Sequence, residues 1–308
     1  MTRATRWLRT VLAAATVISV VPASGSATLP DEPTPIRTAP PPPVSPEPMP
    51  RPDPRFTKSQ RAALTRALDR YMDDRPGALS VSVQEITTGL AFTYKPRLRT
   101  ATASIIKADI VMALLLRAQQ DKRGLTATER SLAERAIKVS DNTAATALWH
   151  AIGGSDGLAA ANRRLGLRST KPGPGDAWGS TITSAADQVR LLTALTSSRS
   201  RLSAANRRYV RHLMGDVAPE QAWGVSAAAG RGADVALKNG WLPRHVHGGR
   251  WTINSVGIVR AAGRVFLIAA VSERHATMPD GIQVVEHACS TVARALSRSM
   301  PSSSALER

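Results

Sequence analysis

The order of the predicted elements favours a mixed α/β (α+β) fold, in which a five-stranded antiparallel sheet is flanked by helices and carries an all-helical lobe. Three observations support this prediction. Two short strand patterns lie near the start, a block of helical patterns fills the middle, and three strand-like runs lie near the end. The strands are joined by tight turns rather than crossovers, which is typical of antiparallel pairing. With 308 residues, 43% of them hydrophobic, the chain can bury a substantial core.

Periodicity and turn residues predict each element in order. The first helix is predicted over residues 56–74, where apolar residues recur at helical spacing and Pro76-Gly77 follows. A hairpin is predicted next, with strands over 79–85 and 90–94 around Thr87-Thr88-Gly89. The remaining predictions are helices over 104–119, 126–138, 142–152, 156–165, 184–195 and 203–214, strands over 234–237, 251–259 and 265–272, and a last helix over 279–296.

The N-terminal residues predict export. Arg3, Arg6 and Arg9 precede the apolar run from Val11 to Val21, which is too short to span a bilayer. Small residues suited to cleavage follow, so residues 1–27 are predicted to be a signal peptide, with an uncleaved anchor as the alternative. We therefore expect a secreted, extracytoplasmic protein, with membrane or wall association left open.

A proline-rich segment separates this signal from the predicted domain. Twelve of the 21 prolines lie between Pro30 and Pro54, a composition that favours polyproline II over a packed core. The predicted boundaries are a linker over 28–54, a folded domain over 55–298 and a flexible tail over 299–308. The linker is interpreted either as a spacer or as a disordered tail.

Charge and cysteine content limit the partners. The chain has 41 Lys+Arg and 23 Asp+Glu, a formal net charge of +18, and these charges form no long block. An anionic wall polymer or membrane surface is therefore a candidate partner, whereas no nucleic-acid recognition motif is visible. One cysteine allows neither an intramolecular disulfide nor a multi-cysteine zinc site. We predict no metal, no cofactor and a monomer.

Two short motifs in the helical block can carry chemistry. Ser104 and Lys107 are three residues apart at the start of a predicted helix, which places them on one face. There an amine could take the proton of the Ser104 hydroxyl. Ser140-Asp141-Asn142 follows where one helix ends and the next begins, so that Ser140 could relay a proton and Asn142 could bind Lys107 or a substrate carbonyl. Each motif could equally be a helix cap.

A third motif, Lys238-Asn239-Gly240, lies on a predicted strand and is followed by Trp241. A glycine at that position allows a substrate backbone to approach the strand closely. The backbone N–H groups of Ser104 and Trp241 could then form an oxyanion hole. On its own, this motif is also typical of a turn.

In this order and on these elements, the three motifs resemble the serine β-lactamase and penicillin-binding protein superfamily, most closely class A β-lactamases. The resemblance covers residues 56–297 and implies a β-lactamase-like fold. It implies that Ser104 is the acylated nucleophile, Lys107 a general base or proton shuttle, and Ser140 the proton donor to the leaving nitrogen. It further implies that Asn142 orients the substrate and that Lys238 binds its carboxylate.

Three departures from the family pattern bear on function. Asn239 stands where the family usually has Thr or Ser, which affects carboxylate recognition. The loop that carries a deacylating Glu in class A enzymes has only one carboxylate here, Asp176. The arginine that usually follows the third motif has no clear counterpart, and Arg244 or Arg250 could replace it.

The leading functional hypothesis is a class A β-lactamase-like serine hydrolase that acts through a Ser104 acyl-enzyme. Loss of a deacylating base typically costs roughly 10²–10⁴-fold, so deacylation is expected to be slow unless Asp176 serves. One alternative is a penicillin-binding or D-Ala-D-Ala peptidase or esterase-type enzyme, since the 107–140 stretch is short and predicts an open site. Another is an inactive wall-binding module. The expected substrate is a β-lactam or a peptidoglycan-like small molecule.

Overall fold

The computed structural model describes residues 56–230, 233–261 and 263–299. The predicted signal peptide and linker, and the tail beyond Ser299, lie outside these residues. The helices are α1 (Lys58–Asp73), α2 (Ile106–Gln120), α3 (Ala127–Lys138), α4 (Asn142–Ile152), α5 (Gly154–Leu165), α6 (Ala185–Thr196), α7 (Ala204–Gly215) and α8 (Met278–Arg298). The strands are β1 (Ala78–Glu85), β2 (Ala91–Tyr94), β3 (Thr100–Ala101), β4 (Ile182–Thr183), β5 (Val235–Arg244), β6 (Arg250–Ala261) and β7 (Arg264–His275).

Five strands form one antiparallel sheet in the order β2-β1-β7-β6-β5. The predicted fold class is therefore confirmed. Strand β7 shows how both faces are buried. Leu267, Ala269 and Val271 pack with the helical lobe, whereas Phe266 and Ile268 pack with α1 and α8 on the other face. This alternation follows from the two-residue period of a strand.

Helix α2 is the centre of the helical lobe, because twelve of its fifteen residues are buried. A helix that is apolar on all sides must be enclosed by its neighbours, and side chains of α3 to α7 share its core. Its start differs from the prediction: residues Ala103–Ile105 form a 3₁₀ turn, and the α-helix begins at Ile106. Ser104 therefore lies in the tight turn that precedes the helix.

Two further corrections concern strands. The strand predicted over 234–237 is longer than expected, because β5 continues to Arg244. The prediction that the Lys238-Asn239-Gly240 motif lies on a strand is confirmed, and its reading as a turn is excluded. Pro243 is tolerated there because β5 is the edge strand of the sheet. The two-residue strands β3 and β4 were not predicted, and they pair next to the start of α2. No described helix is long and apolar enough to cross a membrane.

Candidate active site

A groove of about 380 Å³ lies where the start of α2, helix α4, strand β5 and the 171–180 loop meet. Four of the predicted site residues line it: Ser104, Asn142, Asp176 and Trp241. The other five, Lys107, Ser140, Lys238, Asn239 and Gly240, are not among its lining residues. The three motifs, which are far apart in sequence, thus meet in one place. Four of the predicted residues line the groove, and the other five lie behind its surface.

Ser104 is half-buried at the groove, and its hydroxyl makes no hydrogen bond within the part of the chain that the structure describes. The preceding residue, Ala103, has a φ of 47°, a left-handed conformation that non-glycine residues rarely adopt. Such conformations persist only where the surrounding fold imposes them, and they gather at functional sites. The turn therefore presents Ser104 to the groove at a cost in backbone strain.

Lys107 is fully buried, and its ammonium group is satisfied by three acceptors. Its Nζ donates to Ser140 O (2.6 Å), Ser140 Oγ (3.1 Å) and Asn142 Oδ1 (2.7 Å). The ring of Trp178 covers it, with 5.0 Å between Nζ and the ring centroid. Burial lowers the pKa of Lys107 to about 8, although the nearby Asp141 carboxylate opposes this shift. A fraction of the side chain is therefore a neutral amine near pH 7.

Ser140 connects the two buried lysines. Its Oγ also accepts from Lys238 Nζ at 3.0 Å, so the hydroxyl oxygen bridges both amines. Its φ of 57° is left-handed, which makes it a second strained residue at the site. Asp141 follows it as the N-cap of α4, accepts from Ala144 N at 2.9 Å and pairs with Arg135. That cap fixes the orientation of the turn and hence of Ser140.

Lys238 is also fully buried, and burial together with repulsion from Lys107 lowers its pKa well below the ordinary value. Besides Ser140, its Nζ contacts Asn239 O (3.0 Å) and Gln221 Oε1 (3.4 Å). Asn239 is fully buried as well, and its Nδ2 donates to the main-chain oxygens of Gln221 (2.8 Å) and Trp223 (3.0 Å). The side chain of Asn239 therefore holds the 221–223 turn against β5 rather than lining the groove.

Gly240 is the point where β5 passes closest to the start of α2. A Cβ atom added there would lie 2.6 Å from Ser104 N, 2.7 Å from Ile105 N and 2.8 Å from Thr102 O. These neighbours are backbone atoms that a side chain could not displace cheaply. Only glycine permits this approach, because it has no side chain. The backbone of β5 just before Trp241 is thereby brought close to the amide of Ser104.

The 171–180 loop forms the opposite wall and is fixed to helix α4 by side chains one turn apart. Trp178 Nε1 donates to Thr146 Oγ1 at 3.1 Å, and His150 Nε2 lies 2.7 Å from Asp176 Oδ1. Asn142 lies four residues before Thr146 on the same face. Asp176 thus borders the groove with a side chain that is 67% exposed and in contact with His150.

Arg244 lies near this wall at the end of β5, where its Nη1 is 3.4 Å from the hydroxyl of Ser180, a groove-lining residue. Arg250, the other candidate from the sequence, instead contacts the main-chain oxygen of Arg274. The arrangement thus offers a hydroxyl at the groove, a buried amine of lowered pKa, a bridging hydroxyl and a carboxylate on the facing wall. These are the groups that acyl transfer requires.

The model of the beta-lactamase enzyme family matches residues 119–299, more than half of the chain. The chain belongs to the beta-lactamase enzyme family. The match begins after Ser104 and Lys107 and includes Ser140, Asp176 and Lys238. Comparison with solved structures also confirms the predicted resemblance to class A β-lactamases. A class A β-lactamase from Bacteroides cellulosilyticus aligns with 79% of this chain and all of its own, at a TM-score of 0.69 and 15% identity.

The TLA-1 extended-spectrum β-lactamase is similar, with a TM-score of 0.69 and 16% identity over 77% of this chain and 99% of its own. Both comparisons show that this family member has the class A β-lactamase fold. Curated relatives from Mycobacterium bovis and Mycobacterium tuberculosis, each named "Putative lipoprotein LppW", are 29% identical over 198 residues. The matching stretch covers 62% of this chain and 62% of each relative.

Three residues of this β-lactamase-family site were not singled out as site residues from sequence. Trp178 covers Lys107, and His150 contacts the carboxylate of Asp176. Gln221 was not considered, and it contacts both Lys238 and Asn239. The spacing of Asn142, Thr146 and His150 at four-residue intervals was the signal that could have placed His150 near the groove.

Proposed function

We propose that this protein is a serine hydrolase of the class A β-lactamase type, with Ser104 as the nucleophile that opens β-lactams. The observation that carries the proposal is the Ser140 hydroxyl, which bridges two buried lysines beside the groove that Ser104 lines. Two buried amines cost free energy to maintain, and a structural role alone would be served by apolar residues. The cost is explained if they move protons.

The acylation step balances with these groups. Ser104 Oγ attacks the lactam carbonyl carbon, and neutral Lys107 takes the hydroxyl proton. The backbone N–H groups of Ser104 and Trp241 stabilise the oxyanion. When the C–N bond breaks, Ser140 gives its proton to the leaving nitrogen and recovers one from Lys107, with Lys238 holding its oxygen in place. Asn142 orients the substrate amide.

Deacylation requires a base for the attacking water. We propose that Asp176 takes this role, with its carboxylate oriented by His150, because it is the carboxylate that borders the groove. Water adds to the acyl carbonyl carbon while Asp176 takes one of its protons. The bond between the carbonyl carbon and Ser104 Oγ then breaks, and that proton is returned to Oγ, so that Ser104 leaves as the hydroxyl and Asp176 is again a carboxylate. The side chain is two-thirds exposed, and a solvated base is less constrained than a buried one, so we expect turnover to be limited by this step.

The same exposure favours the alternative of a penicillin-binding or D-Ala-D-Ala-type peptidase or esterase, in which a β-lactam would remain bound. The inactive wall-binding alternative would keep the fold without acylation. We further propose an extracytoplasmic location, supported by the predicted export signal and by the lipoprotein names of the relatives. A small β-lactam or peptidoglycan-like substrate and a monomeric state complete the proposal.

Hydrolysis assays on the purified chain separate these functions. A chromogenic cephalosporin and a depsipeptide ending in D-Ala-D-lactate are compared as substrates, with the Ser104→Ala variant as the blank. Faster turnover of the cephalosporin supports the proposal, and turnover of the depsipeptide alone supports the peptidase alternative. Asp176→Asn should lower steady-state cephalosporin turnover by roughly 10²-fold without changing the acylation rate. Unchanged turnover in Asp176→Asn would contradict the role of Asp176.

A further inference from the structure

A second cleft, of about 480 Å³, is lined by side chains from the end of α5, one side of α6 and the 197–201 turn. None of its lining residues lines the groove that contains Ser104. Its main feature is charge. Six arginines line it: Arg163, Arg164, Arg168, Arg190, Arg199 and Arg201. We call it the arginine cleft.

The positive charge of the arginine cleft is largely uncompensated. Arg190 pairs with Asp187, with 2.6 Å between Nη1 and Oδ1. Asp187 is fully buried, and its oxygens also accept from Arg168 N, Ser169 N and Thr170 Oγ1. The other five guanidinium groups make no ion pair with a carboxylate in the described part of the chain. Like charges held together repel one another, so this cleft attracts anions.

Packing does not account for four of the six cleft arginines. Arg163, Arg168, Arg199 and Arg201 are exposed, so their heads do not fill a core. Two hydroxyl groups at the cleft add further donors. The oxygens of Ser197 and Ser200 accept from the main-chain N–H groups of Arg199 and Leu202, which leaves both hydroxyl protons free to donate. The polar lining consists mainly of hydrogen-bond donors, as an anionic ligand requires.

The shape and composition of the cleft indicate what kind of anion fits. Arginine binds phosphate oxygens through two parallel N–H groups, and several arginines from separate segments can engage several phosphates in succession. Attachment to a membrane surface is strengthened by apolar side chains that insert beside the basic ones. The exposed large apolar residues, Ile86, Val139 and Val246, are not among the cleft residues. A cleft without an exposed large apolar side chain suits a single polymer chain better than a bilayer.

We propose that the arginine cleft binds a linear polymer whose repeating units are joined by phosphodiester groups. Such binding would hold the protein on an anionic polymer while the groove around Ser104 stays accessible. The proposal does not depend on the proposed hydrolase activity, because the two sites share no lining residue.

The test is a titration of the full chain with a fluorescently labelled glycerol phosphodiester oligomer at several salt concentrations. Arg163→Gln combined with Arg199→Gln should weaken binding by at least about tenfold and reduce the slope of log affinity against log salt by about 1.4. The control variant combines Arg66→Gln with Arg208→Gln. Both arginines are exposed and lie outside the cleft, so the control removes the same charge and should bind within about twofold of the wild type.

Three outcomes would overturn the proposal. Equal weakening in the two double variants would show that net charge alone drives binding. Equally tight binding of poly-glutamate, lost in the same variant, would show that the cleft does not select phosphate. Binding to phosphatidylglycerol vesicles but not to the oligomer would assign the arginines to a lipid surface. Thermal melting of each variant and its cephalosporin turnover, both expected to match the wild type, separate a binding defect from misfolding.

Discussion

The protonation of Lys107 gives the sharpest prediction for the acylation step. A lysine can take the Ser104 proton only as a neutral amine, and burial beneath Trp178 lowers its pKa from 10.5 to about 8. At pH 7 the neutral fraction is then about 9%, compared with about 0.03% for an ordinary lysine, a gain of about 300-fold. Acylation should therefore rise about tenfold from pH 6 to 7, about fivefold from pH 7 to 8, and level off above pH 9.

Two variants, one of Asp141 and one of Lys107 itself, sharpen the test. The Asp141 carboxylate raises the pKa of Lys107, so Asp141→Asn should shift the profile toward lower pH while keeping a good N-cap for α4. Lys238 reaches the same Ser140 oxygen from the other side. Lys107→Arg keeps a cation that does not deprotonate and should slow acylation by roughly 10²–10⁴-fold at all pH values.

The assay is stopped-flow acylation by a fluorescent penicillin at saturating concentration, with melting temperatures to confirm that each variant folds. A rate that stays level between pH 6 and 8 would refute the reasoning. An inflection in the plot of acylation rate against pH that persists unchanged in Lys107→Arg would also refute it, because a group other than Lys107 would then control acylation.

Three further predictions follow from the same geometry. Gly240→Ala should lower acylation at least about 100-fold, because its Cβ would meet the backbone of Ser104 at 2.6 Å; an unchanged rate in stopped flow would contradict the close approach. Burial raises the pKa of Asp109 to about 8, with Asp187 adding to the shift, so the folded state retains a proton that the unfolded state releases. The contribution of Asp109 to the free energy of unfolding should then fall with rising pH by about 1 kcal/mol per pH unit between pH 4 and 8, and Asp109→Asn should remove this contribution in urea titrations. His150→Ala should slow deacylation about tenfold or more while leaving acylation unchanged, and His150→Gln should restore part of it; equal loss in both variants would argue against a hydrogen bond to Asp176 as the cause.

Most elements could be predicted because their signals are local. Helix α4 has the predicted bounds, since Asp141 caps its start and Gly153 adopts a left-handed conformation at its end. Strand β5 was predicted too short, because Asn239-Gly240 and Pro243 are turn-forming residues when considered alone. Its continuation depends on pairing with β6 over its whole length, which is a property of the sheet.

In the candidate site, too, some features follow from local sequence signals and others depend on contacts between distant segments. The motif spacing led to Ser104, Lys107, Ser140 and Lys238, but the full burial of both lysines could not be read from it. Burial is set by the packing of α2 beneath Trp178 and by the 221–223 turn, and each contact joins segments far apart in sequence. Asn142 was expected to bind Lys107 or a substrate carbonyl, and its Oδ1 accepts a hydrogen bond from Lys107 Nζ.

The central claim is that Ser104 is the acylated nucleophile, and intact-mass spectrometry of the full chain with a penicillin tests it most directly. We predict a mass increase equal to one penicillin molecule, mapped by peptide digestion to Ser104, that decays as product is released. The Ser104→Ala variant should show no adduct. An adduct that forms equally in Ser104→Ala, or no adduct at any time in the wild type, would contradict the claim.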